Sequence, residues 1–308
     1  HYLQVAKISR DGLIVSQYIP SVGRADRIVV PRVYIHGLLE CLHLRLDHPT
    51  RSELKQVFNR AYYALDLDAA LDTVSKKCHT CTSLADMPNR FLKQSSTTDP
   101  TAVGSNFAAD VVKRGGQDIL VLREYITSYT AAKLIWNEKA ASLRTALLIL
   151  TSDLIPSTGM SVTIKVDPAS ACRSLREDPE LLRNGIKLEI GNAKMKNKNP
   201  VAERSIREIH GEINRVMKDL PNITEKILSK AVQNLNCRLR GHGVSARELW
   251  TKRNQYTGEQ LPIDDLILMQ AKELAKKKSH VPSAVYKAKG KRSFNVAPLH
   301  RALCPPDL

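Results

Sequence analysis

The chain has 308 residues, 43% of them apolar, with 47 lysines and arginines against 31 acids and a formal net charge of +16. That apolar share supports a sizeable core, and no run approaches the 18 apolar residues of a membrane helix. Neither the membrane class nor, with no signal-peptide pattern, the secretory class is expected. The excess charge is uneven, +3 over residues 1–90, +1 over 91–190 and +12 over 191–308, which points to a polyanion and first of all to nucleic acid.

Residues 1–31 hold three extended signals, Tyr2–Ala6, Gly12–Ser16 and Arg27–Pro31, and read as a short β-rich lead-in. The start at His1 rather than Met leads us to expect a piece of a longer product. From Arg32 the period becomes helical, with Ile35, Leu38, Leu39, Leu42 and Leu46 along one side. Pro49 disfavours helix at His48, and Thr50-Arg-Ser-Glu53 is a capping box that starts a second helix. A third is expected over Asp68 to Lys76, giving a small helical domain over residues 32–84.

Six cysteines occur, two as Cys78-His-Thr-Cys81 and the rest without framework spacing, which suggests a reducing compartment and a metal pair. His43 and His48 precede them, so the pattern is H-x4-H, 29 residues, C-x2-C. Tetrahedral structural zinc takes such a set, and three short helices hold together poorly without it. His36, Cys41 and His79 are weaker competitors.

Residues 85–105 read as a polar linker. From Phe107 the pattern becomes three consecutive antiparallel strands, Phe107–Val112, Ile119–Ile126 and Ala131–Ile135, then a helix over Glu138 to Leu150 capped by Asn137. A strand follows over Val162–Val166, a short helical piece opens at Asp178-Pro179, and Ile186–Ile190 is a fifth strand. A long amphipathic helix then starts near Asn199, an expected cap, with Pro200 in its first turn. This predicts an α/β unit over 106–222, a mixed five-stranded sheet with helices. Residues 223–275 read as a helical extension, with helices over Glu225–Leu239 and Ser245–Trp250, and 276–308 as a basic disordered tail.

Three acids stand out. Asp110 interrupts an apolar strand, where an unpaired carboxylate is costly. Asp167 ends another strand, and Glu203 opens the long helix after a cationic loop. Asp167 and Glu203 are separated by 35 residues, but so are Asp153 and Glu189. Placement separates the pairs, because Glu189 lies on the polar side of an alternating strand and reads as solvated. Three carboxylates from separate elements repel one another until hard cations, Mg²⁺ or Mn²⁺, neutralise them. Lys194, Lys196 and Lys198 in the loop, with Arg207 and His210 on the helix, are the candidates to hold phosphates beside Glu203.

Taken together, these constellations resemble the integrase of gypsy-type LTR retrotransposons over roughly residues 12–265. The carrying residues are His43, His48, Cys78 and Cys81, then Asp110, Asp167 and Glu203 in D,D-35-E spacing. Local phrases agree: Arg27-Ile-Val-Val-Pro31, Asn199-Pro-Val-Ala-Glu-Arg204, and Gly243-Val-Ser-Ala-Arg-Glu-Leu249. The resemblance implies a zinc-stabilised front domain and a ribonuclease H-like catalytic core. It further implies 3′-end processing and strand transfer of element DNA by a homo-oligomer working in the nucleus after a cytoplasmic phase. It also implies that Asp110 bridges two catalytic metals, with Asp167 on the first and Glu203 on the second. Two features depart from the family. Asp167-Pro168-Ala169 stands where many members have Asp-Asn-Gly, and no strand pattern for a third domain follows Asp265. The rivals are a catalytically inactive or domesticated DNA-binding relative and a nuclease of the same fold, which would lack the front zinc unit.

Overall fold

A computed structural model describes residues 6–9, 12–19, 23–85, 102–155, 161–191, 199–217, 222–240 and 243–271. The expected linker over 85–105 falls mostly outside these residues. The basic tail does so entirely, as do Lys194, Lys196 and Lys198.

The front of the chain is a small sheet carrying helices. Strands β1 (Ala6–Ser9), β2 (Gly12–Ile19) and β3 (Gly23–Val29) form an antiparallel meander, and β3 also pairs in parallel with β4 (Tyr62–Tyr63). Between them run α1 (Arg32–Arg45) and α2 (Arg51–Ala61), followed by α3 (Leu67–Lys77) and α4 (His79–Ala85). The capping box forms as its sequence dictates, with the Thr50 hydroxyl accepting from Glu53 N and the Glu53 carboxylate accepting from Thr50 N. Ile35 and Leu39 of α1, Leu54 and Phe58 of α2, and Leu71 and Val74 of α3 make a compact core. Helix α4 was not expected. It begins directly after Cys78, and its first turn contains Cys81.

The second sheet is five-stranded, in the order β7-β6-β5-β8-β9. Strands β5 (Asn106–Arg114), β6 (Gln117–Glu124) and β7 (Thr130–Ile135) are antiparallel neighbours, whereas β5, β8 (Val162–Val166) and β9 (Ile186–Ile190) run parallel. Gly115 and Gly116, with φ of 56° and 75°, make the two-residue turn between β5 and β6, a conformation that favours glycine at both places. Helix α5 (Ala140–Ser152), with α6 (Ser170–Ser174) and α7 (Pro179–Arg183), covers one face of the sheet. Helices α8 (Pro200–Met217) and α9 (Glu225–Cys237) cover the other. Strand β6 shows why both faces are dry: Leu120 and Leu122 join the α5 core, while Ile119 and Val121 join the α8–α9 core.

Two helix caps differ from expectation. Helix α5 begins at Ala140, with Lys139 at its N-cap position. Asn137 does not cap it, because its side-chain oxygen accepts instead from Lys139 N and the Ser142 hydroxyl. Asn199 stands in the N-cap position of α8, but its side chain reaches across to the sheet rather than to the helix.

The front unit is locked to the far end of the chain. Arg60 makes a two-pronged pair with the fully buried Glu248 of α10 (Ala246–Thr251), at 2.7 and 3.0 Å, and donates to Gly243 O. Glu53 pairs with Arg238 at 3.1 Å, and Asp47 accepts from Asn234 at 2.8 Å. Among the described residues no helix is long and apolar enough to cross a membrane.

Candidate active site and metal centre

His43 lies one helical turn beyond Leu39 and two beyond Ile35, so it faces the front core and is buried. Helix α1 then ends in two consecutive left-handed residues, Asp47 (φ 51°) and His48 (φ 60°), which fold His48 back toward His43. Neither is glycine, so the turn is strained, and what it achieves is the approach of the two rings. His48 Nδ1 sits 3.1 Å from His43 Nε2 and 3.1 Å from Cys78 Sγ, and Cys81 Sγ is 3.4 Å from His43 Nε2. The ligand atoms of His43, His48, Cys78 and Cys81 all lie within 4.8 Å of one another. Corners of a tetrahedron around an ion with 2.0–2.3 Å bonds lie roughly 3.3–3.8 Å apart, so the set fits zinc in size and in ligand type. Burial pushes the Cys81 thiol up to about 11, helped by Cys78, and burial beside His48 lowers His43. A zinc ion held by these four residues would favour the thiolate form of both cysteines. His36, Cys41 and His79 stay outside the group and exposed.

The three acids lie on three elements. In β5, strand alternation puts Asp110 on the same face as Ala108 and Val112, which pack against Ala202 of α8 and the α8–α9 core. Asp167 follows the last residue of β8, the parallel neighbour of β5, and Glu203 lies in the first turn of α8. Both other acids act on Asp110. Burial, then Asp167 and Glu203, raise the Asp110 carboxyl to about 6, although Val111 N donates to it at 2.8 Å. Asp110 and Asp167 line a cleft of about 200 Å³ with Glu138, Ala169 and Cys172. Glu138 is a residue that sequence reasoning missed. Because α5 starts late, Glu138 lies ahead of the helix, pairs with Lys113 at 3.1 Å, and contributes to the negative surroundings of Asp110. Cys172 is also a neighbour, its thiol pushed up to about 11 by burial and then by Asp110 and Asp167.

The competing acid pair is placed differently. Asp153 is exposed at the end of α5, and Glu189 on β9 pairs with Lys165 at 3.9 Å. Of the expected phosphate-holding residues, Arg207 is exposed one turn beyond Glu203. His210 is occupied: its Nδ1 accepts from Arg114 at 3.2 Å, and burial and that guanidinium lower its pKa, so the imidazole is neutral. The cation at that position is therefore Arg114, which is also held by Asn214.

No family model matches the chain, and no curated protein does. Among solved structures, the catalytic core domain of BIV integrase is similar at 20% identity, covering 48% of this chain and 95% of that one, with a TM-score of 0.41.

Proposed function

We propose that the chain is a metal-dependent polynucleotidyl transferase with a ribonuclease H-like catalytic unit. More particularly, we propose that it is an integrase that trims the 3′ ends of element DNA and joins them to target DNA. One observation carries the reading. Two adjacent parallel strands and one helix carry Asp110, Asp167 and Glu203, remote in sequence, and burial together with the charges of Asp167 and Glu203 raises Asp110 to about 6. An oxygen-only donor set of this charge fits Mg²⁺ or Mn²⁺, which Asp110, Asp167 and Glu203 would hold. Bound there, such ions would supply charge neutralisation and polarisation of a phosphodiester. Arg114 and the exposed Arg207 would grip backbone phosphates, and the lysine-rich loop before α8 would extend that grip. The nucleophile comes from outside the chain: water to cut, a DNA 3′-hydroxyl to join. Cys172, the thiol beside the acids, is held protonated and is unsuited to form a covalent intermediate. His43, His48, Cys78 and Cys81 would hold a structural zinc in the front unit.

The test is a labelled duplex end incubated with Mn²⁺ or Mg²⁺ and scored for joined products, nicks or binding alone. The wild type is expected to join. Glu203→Gln should reduce joining to background while keeping DNA binding and zinc content. Nicks without joining would indicate a nuclease, and binding without either would indicate a DNA-holding relative.

A further inference from the structure

We infer that Asn199 is a positioning residue for the three carboxylates, fixing the opening between β5 and β8 and suspending Glu203 from it. This rests on the metal-holding role given above to Asp110, Asp167 and Glu203. Parallel pairing of β5 with β8 covers only Asn106↔Thr163, Phe107↔Ile164 and Ala108↔Lys165. Beyond that point β5 continues with β6 to Arg114↔Gln117, and β8 continues with β9 to Val166↔Ile190. The two strands therefore part company where the ladder stops, with Asp110 and Asp167 on opposite sides of the gap.

Asn199 is placed at that gap. Its side chain is 1% exposed, and its Nδ2 donates to Ala109 O at 3.1 Å and to Lys165 O at 3.0 Å. A primary amide nitrogen carries two hydrogens, so each strand receives one. Because carbonyls only accept, the nitrogen and not the oxygen must face them. One acceptor is next to Asp110 and the other two residues before Asp167. The Asn199 carbonyl meanwhile accepts from Glu203 N at 3.0 Å, the first bond of α8. Pro200 disfavours the helical region at Asn199, which lets the residue face the sheet and still start the helix. One residue thus touches all three acid-bearing elements. Its Oδ1 is buried with no hydrogen-bond partner among the described residues, so the position leaves an acceptor unpaired in order to keep the two donated bonds.

The experiment uses the full zinc-loaded chain and reads Mn²⁺ binding by EPR without DNA, beside joining as a function of Mn²⁺ concentration. Wild type should bind Mn²⁺ in a manner abolished by Asp167→Asn. In Asn199→Ala, half-occupancy and half-maximal joining should both need roughly tenfold more Mn²⁺ or beyond, the usual cost of losing a group that orients metal ligands. Joining should recover at saturating Mn²⁺, and zinc content should not change. Unchanged Mn²⁺ affinity with a lower melting temperature would mean a packing role only and would overturn the assignment. Asn199→Ser keeps one donor and carries the test if the alanine variant does not fold; wild-type Mn²⁺ affinity in it would also overturn the assignment. A wild type that binds Mn²⁺ at the acids, shows the Asn199 shift and joins nothing would support the positioning role while removing the integrase reading. A wild type with no Mn²⁺ at the acids would remove both.

Discussion

The two candidate metal centres are built by opposite means. In the front unit, four ligands come from one local stretch, His43 to Cys81, and the helices that carry them share a modest core around Leu39, Leu54, Phe58 and Leu71. In the second unit the acids come from elements whose positions are set by a five-stranded sheet with packed cores on both faces. The first set of ligands is drawn together against the strain at Asp47 and His48, so its ion should be part of the fold. The second set is held together by hydrophobic packing in spite of charge repulsion, so its ions should be optional for folding and needed for chemistry.

Zinc removal should make the sharpest break. Structural zinc in small units is worth on the order of 10 kcal/mol, so a chelator or Cys78→Ser should unfold α1 to α4 and abolish bound zinc. Circular dichroism and metal analysis check this, and unchanged helicity would show that the front core suffices alone. Next in size is Arg60→Ala. It would strand the Glu248 carboxylate in a fully buried site and should cost about 3–5 kcal/mol, the usual penalty for an orphaned buried charge. Adding Glu248→Gln should recover part of the loss in denaturant melts, and no recovery would mean that Arg60 acts mainly through its packing on Tyr256.

Smaller, and of opposite sign, is the expected effect at the acids. The Asp110 carboxyl titrates at about 6 against an ordinary 3.8, so the folded chain holds this proton more tightly than the unfolded one. The stability it contributes is complete below about pH 4 and is lost as pH rises through about 6. Metal-free Asp110→Asn should therefore be more stable than wild type at pH 7, by on the order of 1–2 kcal/mol after solvent screening, with the difference vanishing near pH 4. Mg²⁺ should raise the melting temperature of wild type and not of the variant. If Asp110→Asn lowered stability at pH 7, the carboxylate would be a net structural asset and the contrast with the front unit would fail. The least effect belongs to Glu189→Gln. This residue is partly solvated and makes a 3.9 Å pair, so stability should change by less than about 0.5 kcal/mol and joining should stay near wild type.

What was legible in the sequence was local. Val162-Thr-Ile-Lys-Val166 alternates and forms β8, and Thr50 with Glu53 forms its capping box, because each depends on neighbours a few residues away. The H-x4-H and C-x2-C spacings similarly mark the four residues that come together, since one helix end and one helical turn decide their geometry. What escaped depends on which strands lie side by side. Asn199 reads as a cap because Asn before Pro favours one, and nothing local shows that two strand carbonyls await its amide. Glu138 reads as helical because its carboxylate's surroundings come from β5. Arg123 reads as an ordinary strand charge, yet it is 1% exposed and pairs at 2.8 Å with Glu208, 85 positions later on α8.

The Arg60–Glu248 pair also sets a schedule for folding. The partners are 188 residues apart, and the four candidate ligands of the front helices are complete as soon as Cys81 has been made. At a synthesis rate of 5–20 residues per second, Glu248 follows Arg60 by about 10–40 s. Through that interval a finished front unit must carry an unmatched guanidinium in water. The α10 segment, arriving last, then acts as a latch that records completion of the sheet between them.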